Sequence, residues 1–260
     1  AYVLCKSYFQ TALSWFLHQT IPAHGVIPLV VQTAFNGITG YTTFQMAVLM
    51  DSGHAEYGDI EYMATALNDI KAGNERGKLL AQGTARVGTF FNAKRVPVIK
   101  KQAISAYDPR VVEVTGISMM VTAQGADHTV GNNATFKCDD KNIEELVAES
   151  LRMQINAAVA DSLGLCVFGR SVTDENLELI SNAINDAFDA GVTPDFIRNI
   201  GLETLRLEAA FNNAAGFDEE DDELPSFFLD EPLPPTGKMA RLRSSEVNAA
   251  MQNLLDAHSG

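Results

Sequence analysis

The sequence predicts a mainly α, multihelical protein arranged as two helical domains. Three observations carry this. Apolar residues recur at three- and four-residue steps, most clearly at Ile143, Leu146, Val147, Leu151, Ile155, Ala158 and Val159. Helix start and stop residues bracket such stretches along the chain. One segment, 96–110, breaks the pattern. Pro97, Pro109 and the β-branched Val96, Val98, Ile99 and Ile104 make it extended chain and turn. It marks a boundary between domains spanning residues 1–97 and 98–260.

Taken in order, residues 2–19 read as an apolar-rich helix that the 22–25 stretch ends. Residues 42–50 form a second helix, stopped by Asp51, Ser52 and Gly53. Gly58 and Asp59 open a third, running to Ala72. The Asp59 carboxylate is placed to accept unpaired amide hydrogens of the first turn, and Gly73 follows the end. Residues 76–82 form a short helix, with Gly83 expected as its left-handed cap. Residues 111–135 are mixed, partly helical and interrupted by Gly116, Gly125 and Gly131. The strongest helix begins at Asn142 and runs out at Gly164. The next begins within 173–176 and reaches about residue 190. Thr193 and Pro194 start another, since proline suits the first helical position, and it reaches about residue 215. Residues 217–243 form a loop rich in acids and prolines. Residues 244–257 form a last amphipathic helix with Val247, Met251, Leu254 and Leu255 on one face. No internal repeat appears.

Acidic residues outnumber basic ones 33 to 19, for a formal charge of −14. Such a surface repels phosphate backbones and anionic lipid, so neither nucleic acid nor membrane is expected as a partner. The acidity serves solubility or a docking surface for a basic or redox partner. Cys5, Cys138 and Cys166 are odd in number and form no C-x-x-C pair, which points to a reducing cytoplasm rather than a disulfide framework. Lys6, Gln10 and His18 interrupt the apolar N-terminal stretch, which is neither a signal peptide nor a membrane span. The chain begins without Met in a helical pattern, as a trimmed or processed fragment would.

Candidate chemistry is sparse. No phosphate-binding loop, nucleophile elbow or H-E-x-x-H pattern occurs. Asp161 falls in the last turn of a helix, where the dipole disfavours an anion, so its carboxylate calls for a partner such as nearby amides or an arginine. His128 reads as a surface or core histidine. Asp108 and Arg110 flank Pro109 in a turn-forming arrangement. The acidic run 218–223 reads as a solvated loop without EF-hand spacing. His24 and His54 stand isolated, and Cys5 and Cys138 suit buried, inert thiols.

Six segments, in order, resemble the second and third domains of the aldehyde ferredoxin oxidoreductases. They are Gly58-Asp59 with the later Gly77-Lys-Leu-Leu-Ala-Gln-Gly83; Ala106-Tyr-Asp-Pro-Arg110; Gly125-Ala-Asp-His128; Asp161-Ser-Leu-Gly-Leu-Cys166; Leu207-Glu-Ala-Ala-Phe-Asn212 with Gly216-Phe217; and Asp221-Asp222, Leu224-Pro225 and Glu231-Pro-Leu-Pro234. The D-x-x-G-L-C pattern at 161–166 is complete. Asp127 stands where the family usually has Cys, and Gln124 where it often has Arg. The family's other D-x-x-G-L-D pattern corresponds to Ala34-Phe-Asn-Gly-Ile-Thr39, which lacks both acids, leaving Asn36 as a substitute.

The resemblance implies an oxidoreductase that converts aldehydes to carboxylic acids on a tungsten or molybdenum pterin. Electrons leave through a 4Fe-4S cluster to ferredoxin or another redox partner. Asp161 and Leu165 become pterin-side residues, Cys166 a cluster ligand and His128 a catalytic proton carrier. Three further cluster cysteines and most of the pterin site would come from an N-terminal domain absent here, so this chain alone would bind no cofactor. The contrasting expectation is a non-catalytic helical scaffold or subunit that kept the fold. Homo-oligomerisation is left open.

Overall fold

In the computed structural model, described residues are 49, 51–54, 56, 59–105, 107–166, 169–174 and 176–258. The expectations for residues 2–19 and for Cys5, His24, Asn36, Gly58 and Ala106 lie outside them. The chain divides into two compact units, Ala1–Ala103 and Ile104–Gly260.

In the first unit, α1 spans Ile60–Ala72, with the Asp59 carboxylate accepting from Tyr62 N–H and Gly73 closing the end at φ 64°. Helix α2 is Glu75–Leu80, capped at its start by Asn74 rather than opening at Arg76. Gly83 does not cap α2. With φ 89° and ψ 171° it begins α3, Thr84–Phe90, a helix not expected from the sequence. The β-branched and glycine residues of α3 are poor helix formers, and burial of Thr84, Val87 and Gly88 overrides that preference. Among the described residues of this unit, Leu49, Ala66, Leu80 and Val87 form a buried core cluster. Strands β1, Val98–Ile99, and β2, Gln102–Ala103, pair antiparallel across a two-residue turn, the extended chain expected at this place.

The second unit is built on α5, Ile143–Ser162. Its start carries a reciprocal capping box: Asn142 accepts from Glu145 N–H, and the Glu145 carboxylate accepts from Asn142 N–H. Against α5 pack α4, Glu113–Val121; α8, Pro194–Ala214; and α10, Ser244–Ala257. Between them lie α6, Arg170–Thr173; α7, Leu177–Phe188; and α9, Ser226–Asp230. Thr193 caps α8 with Pro194 in its first turn, as expected. Helix α7 begins after Asn176, later than the sequence suggested.

Residues 113–120 of α4 are all buried, the polar Glu113, Thr115 and Ser118 among them, which explains the ambiguity of that stretch: a helix buried on every side shows no amphipathic period. On α8, a Cβ placed at Gly201 would lie 2.6 Å from the Ile155 carbonyl oxygen, so only glycine lets α8 and α5 approach this closely. Beneath α4, Ser118 Oγ and Ser150 Oγ meet at 2.8 Å, and Gln154 Nε2 donates to Ser150. The fold is mainly α, with one two-stranded sheet among the described residues.

Candidate functional site

The 161–166 segment is a helix stop with its polar ends left in solvent. Gly164 takes φ 70°. Its N–H donates to the Asp161 carbonyl at 3.2 Å, while Leu165 N–H reaches back to the Ala160 carbonyl at 2.8 Å. This pair of bonds closes a left-handed helix terminus. Leu165 then folds onto Val159, Ile180 and Ile197, fastening the turn by apolar contact. Glycine therefore permits the turn, and leucine anchors it. Asp161 and Cys166 are exposed, and the Cys166 thiol is free. Among the described residues no donor reaches the Asp161 carboxylate, and the last turn of α5 holds no basic residue to offset the dipole.

His128 is half-buried beyond α4. The chain leaves that helix through Gly125 and Ala126, at φ 72° and 55°, and Ala126 N–H donates to the Met119 carbonyl at 2.7 Å. Two consecutive left-handed residues, one carrying a Cβ, make a strained bend. Asp127, buried, steadies it: its Oδ1 accepts from Thr129 N–H at 2.8 Å and from Thr129 Oγ at 2.7 Å. The His128 ring faces the Tyr107 ring with centroids 5.5 Å apart.

The 107–110 segment sets that ring by a clamp. Arg110 Nη2 meets Asp108 Oδ2 at 2.6 Å, and the Arg110 main-chain N–H and Nε–H both donate to Oδ1 at 2.9 Å. The remaining guanidinium nitrogen donates to the Glu231 carbonyl at 2.8 Å, and the planar group lies over Phe228. The Asp-Pro-Arg turn is therefore structural, joining the start of the unit to its tail.

Helix α8 ties the two candidate segments together. Thr204 Oγ lies 3.5 Å from Ser162 Oγ beside the 161–166 turn. Asn212 Nδ2 donates to the Ala123 carbonyl at 2.9 Å, just before the Gly125 bend. These attachments are two turns apart, about 12 Å along the helix. The tail segment around Asn212 was legible as a resemblance, but its bracing role was not.

Below the His128 loop, Asn133 Nδ2 donates to Glu149 Oε1 at 2.7 Å. Arg152, bidentate on the same carboxylate, holds Glu149 below the usual glutamate range against the opposing effect of burial. Arg241 grips buried Glu113 at 2.7 and 2.8 Å and also donates to the Cys138 and Lys141 carbonyls, and the carboxylate raises the guanidinium's pKa further. Cys138 is buried, as the sequence suggested. No cluster of three or more His, Cys, Asp or Glu side chains among the described residues is placed to hold a metal ion, and no described helix is long and apolar enough to cross a membrane.

Residues 36–257, which include every candidate site residue above, match the family model for aldehyde ferredoxin oxidoreductase, domains 2 and 3. The tungsten-containing aldehyde ferredoxin oxidoreductase of Pyrococcus horikoshii is 29% identical over 202 residues, covering 72% of this chain and 33% of the relative. That of Thermococcus kodakarensis is 28% identical over 210 residues, 75% of this chain and 34% of the relative. That of Pyrococcus furiosus is 26% identical over 219 residues, 75% and 36%. The chain spans about a third of the length of these curated relatives.

Proposed function

The chain belongs to the aldehyde ferredoxin oxidoreductase family, and on that premise we propose that it is the helical part of an enzyme oxidising an aldehyde to a carboxylic acid on a tungsten or molybdenum pterin, with electrons passing through a 4Fe-4S cluster to ferredoxin. The observation that carries this reading is the 161–166 turn. It holds an exposed carboxylate and an exposed thiol on one fixed scaffold, and the carboxylate lacks a donor among the described residues.

The residues fit part of each cofactor. The Asp161 carboxylate accepts the N–H donors of a pterin edge. The Cys166 thiolate gives one soft, anionic ligand to iron. Leu165 is the pterin-side residue that fixes both of them, through its packing on α5 and α7. His128, half-buried against Tyr107, accepts or returns a proton at the substrate, a role suited to imidazole near neutral pH. The bound metal supplies the oxygen-transfer and redox chemistry, while the protein supplies binding, orientation and electrostatics. One thiolate does not complete a four-thiolate site, so the remaining ligands and the rest of the pterin site belong to an N-terminal domain of the complete enzyme. An exposed free thiol suits a reducing cytoplasm.

A second reading, a non-catalytic helical scaffold, has one observation in its favour: the 34–39 stretch lacks both acids of the family's other pterin pattern. Metal analysis and spectroscopy of the complete protein, prepared anaerobically, separate the two. The enzyme reading expects tungsten or molybdenum together with iron, and loss of cluster absorbance in Cys166→Ala. Protein free of all three metals, or an unchanged cluster spectrum in the variant, would reject the cofactor site assigned here.

A further inference from the structure

Two serines meet in the interior of the second unit, Ser118 on α4 and Ser150 on α5, and neither is exposed at all. A buried hydroxyl is tolerated when its hydrogen bonds are made. Gln154 Nε2 donates to Ser150 Oγ at 3.0 Å, and the two hydroxyl oxygens lie 2.8 Å apart. Ser118 Oγ also lies 3.2 Å from the Gly131 carbonyl oxygen and 3.3 Å from that of Val114. Carbonyls only accept, so the single Ser118 hydrogen goes to them and Ser150 donates to Ser118. The relay runs one way, from Gln154 through Ser150 and Ser118 to the carbonyls.

The Gly131 end of this relay is a foot of the loop that carries His128. Ala126 N–H donates to the Met119 carbonyl at 2.7 Å, and the Gly131 carbonyl accepts from Ser118 at 3.2 Å. Residues 126–131 therefore form an arch whose two feet stand on adjacent residues of α4, with His128 in its span. One foot is a backbone bond. The other depends on a side chain. Gly131 is buried, and Ser118 is the sole donor to its carbonyl among the described residues. A Cβ at Gly131 would lie 1.8 Å from Ser118 Oγ, so only glycine lets this foot seat on the hydroxyl. Past the arch the chain is anchored separately: Thr115 Oγ donates to Asn132 Oδ1 at 3.1 Å and accepts from Asn133 N–H at 3.2 Å.

We infer that Ser118 is a positioning residue for His128: its hydroxyl pins the Gly131 foot of the arch and so fixes the imidazole beside Tyr107. The inference rests on the proton-transfer role given to His128 above. Without the hydroxyl the buried Gly131 carbonyl loses its donor, which favours states in which the foot lifts towards water. The imidazole then spends less time where proton transfer is efficient, and a displacement of about 1 Å is enough to slow such a step.

The test uses the complete protein as wild type, Ser118→Ala, Ser150→Ala and His128→Asn. Amide hydrogen exchange is followed by mass spectrometry, and aldehyde oxidation with a dye acceptor. Ser150→Ala also deletes a buried hydroxyl of the relay but leaves the Ser118 bond to Gly131 in place, so it reports a purely structural loss. Both serine variants are to melt at a lower temperature than wild type. Only Ser118→Ala is to exchange the amides of 126–131 faster, about tenfold. Only Ser118→Ala of the two is to lower kcat, also about tenfold, with KM and metal content unchanged. Ser118→Cys, a weak donor of similar size, is to fall between wild type and Ser118→Ala, and it replaces the alanine variant should that one not fold. Arch exchange unchanged in Ser118→Ala, or raised equally by Ser150→Ala, overturns the inference. So does faster exchange with unchanged kcat where His128→Asn is inactive. Oxidation absent from wild type, or fully retained in His128→Asn, would instead defeat the proton-transfer role. Faster exchange confined to Ser118→Ala would then leave the pinned arch standing.

Discussion

Gly164 concentrates, at one residue, the link between chain geometry and the candidate site. Its φ of 70° lies where a side chain costs energy, yet a Cβ there would meet nothing within 4 Å. The cost of Gly164→Ala is therefore conformational, about 1 kcal/mol. Urea unfolding of the complete protein should show that loss with no change in helix content. A variant of unaltered midpoint would mean that the turn does not depend on a left-handed residue. By contrast, Gly201→Ala meets the Ile155 carbonyl oxygen and acts through packing. Both glycines stand plainly in the sequence. Gly164 was readable as a helix stop because it follows a long periodic run, whereas nothing local at Gly201 announces a helix crossing. Asp161 and Cys166 were legible as a pattern, but the fastening of Leu165 onto Ile180 and Ile197 joins residues far apart in the chain.

Among elements, α10 shows how a charge run comes to support a helix. Its own N-cap residue, Arg243, supplies no side-chain cap. Glu223 takes that part from another segment, its Oε2 accepting from Ser244 N–H at 3.2 Å and from Ser244 Oγ at 2.9 Å. Buried Asp222 accepts from Asn248 one turn on, at 3.0 Å. The 218–223 run is thus not a solvated loop throughout: its last two acids serve the start of a helix whose Val247, Met251 and Leu255 enter the core. Glu223→Ala should cost about 1 kcal/mol, the worth of a helix cap. Glu219→Gln and Glu220→Gln, both exposed, should stay within about 0.5 kcal/mol of wild type. Equal effects at all three residues, measured by chemical denaturation, would return the run to a generic charged loop. Element types were legible where amphipathic periods and caps were present, as in α1, α5, α8 and α10. They were obscured in α4, buried all round, and in α3, whose residues favour other conformations and are held helical by burial.

For the whole molecule, the excess of acids in the second unit is a stability term as well as a steering field. Its strong pairs are short and have at least one partner buried or nearly so, as in Arg110 with Asp108 at 2.6 Å and Arg241 with buried Glu113 at 2.7 Å, so salt weakens them less. The mutual repulsion of twenty-seven acids against ten bases acts across solvent and over distances near the Debye length, about 10 Å at 0.1 M salt, so salt weakens it much more. The balance predicts that added salt stabilises this chain. Folded-state repulsion also exceeds that of the expanded unfolded chain, in which the same charges lie farther apart. Moving from about 10 mM to about 300 mM sodium chloride should raise the urea midpoint by a few tenths molar, roughly 1 kcal/mol at the m-values usual for such proteins. Urea is the suitable denaturant because guanidinium would itself screen the charges. A midpoint that falls with salt would show that exposed ion pairs, such as Lys141 with Glu145, outweigh the long-range repulsion, and that the acidity of this surface is offset locally rather than carried as a net field.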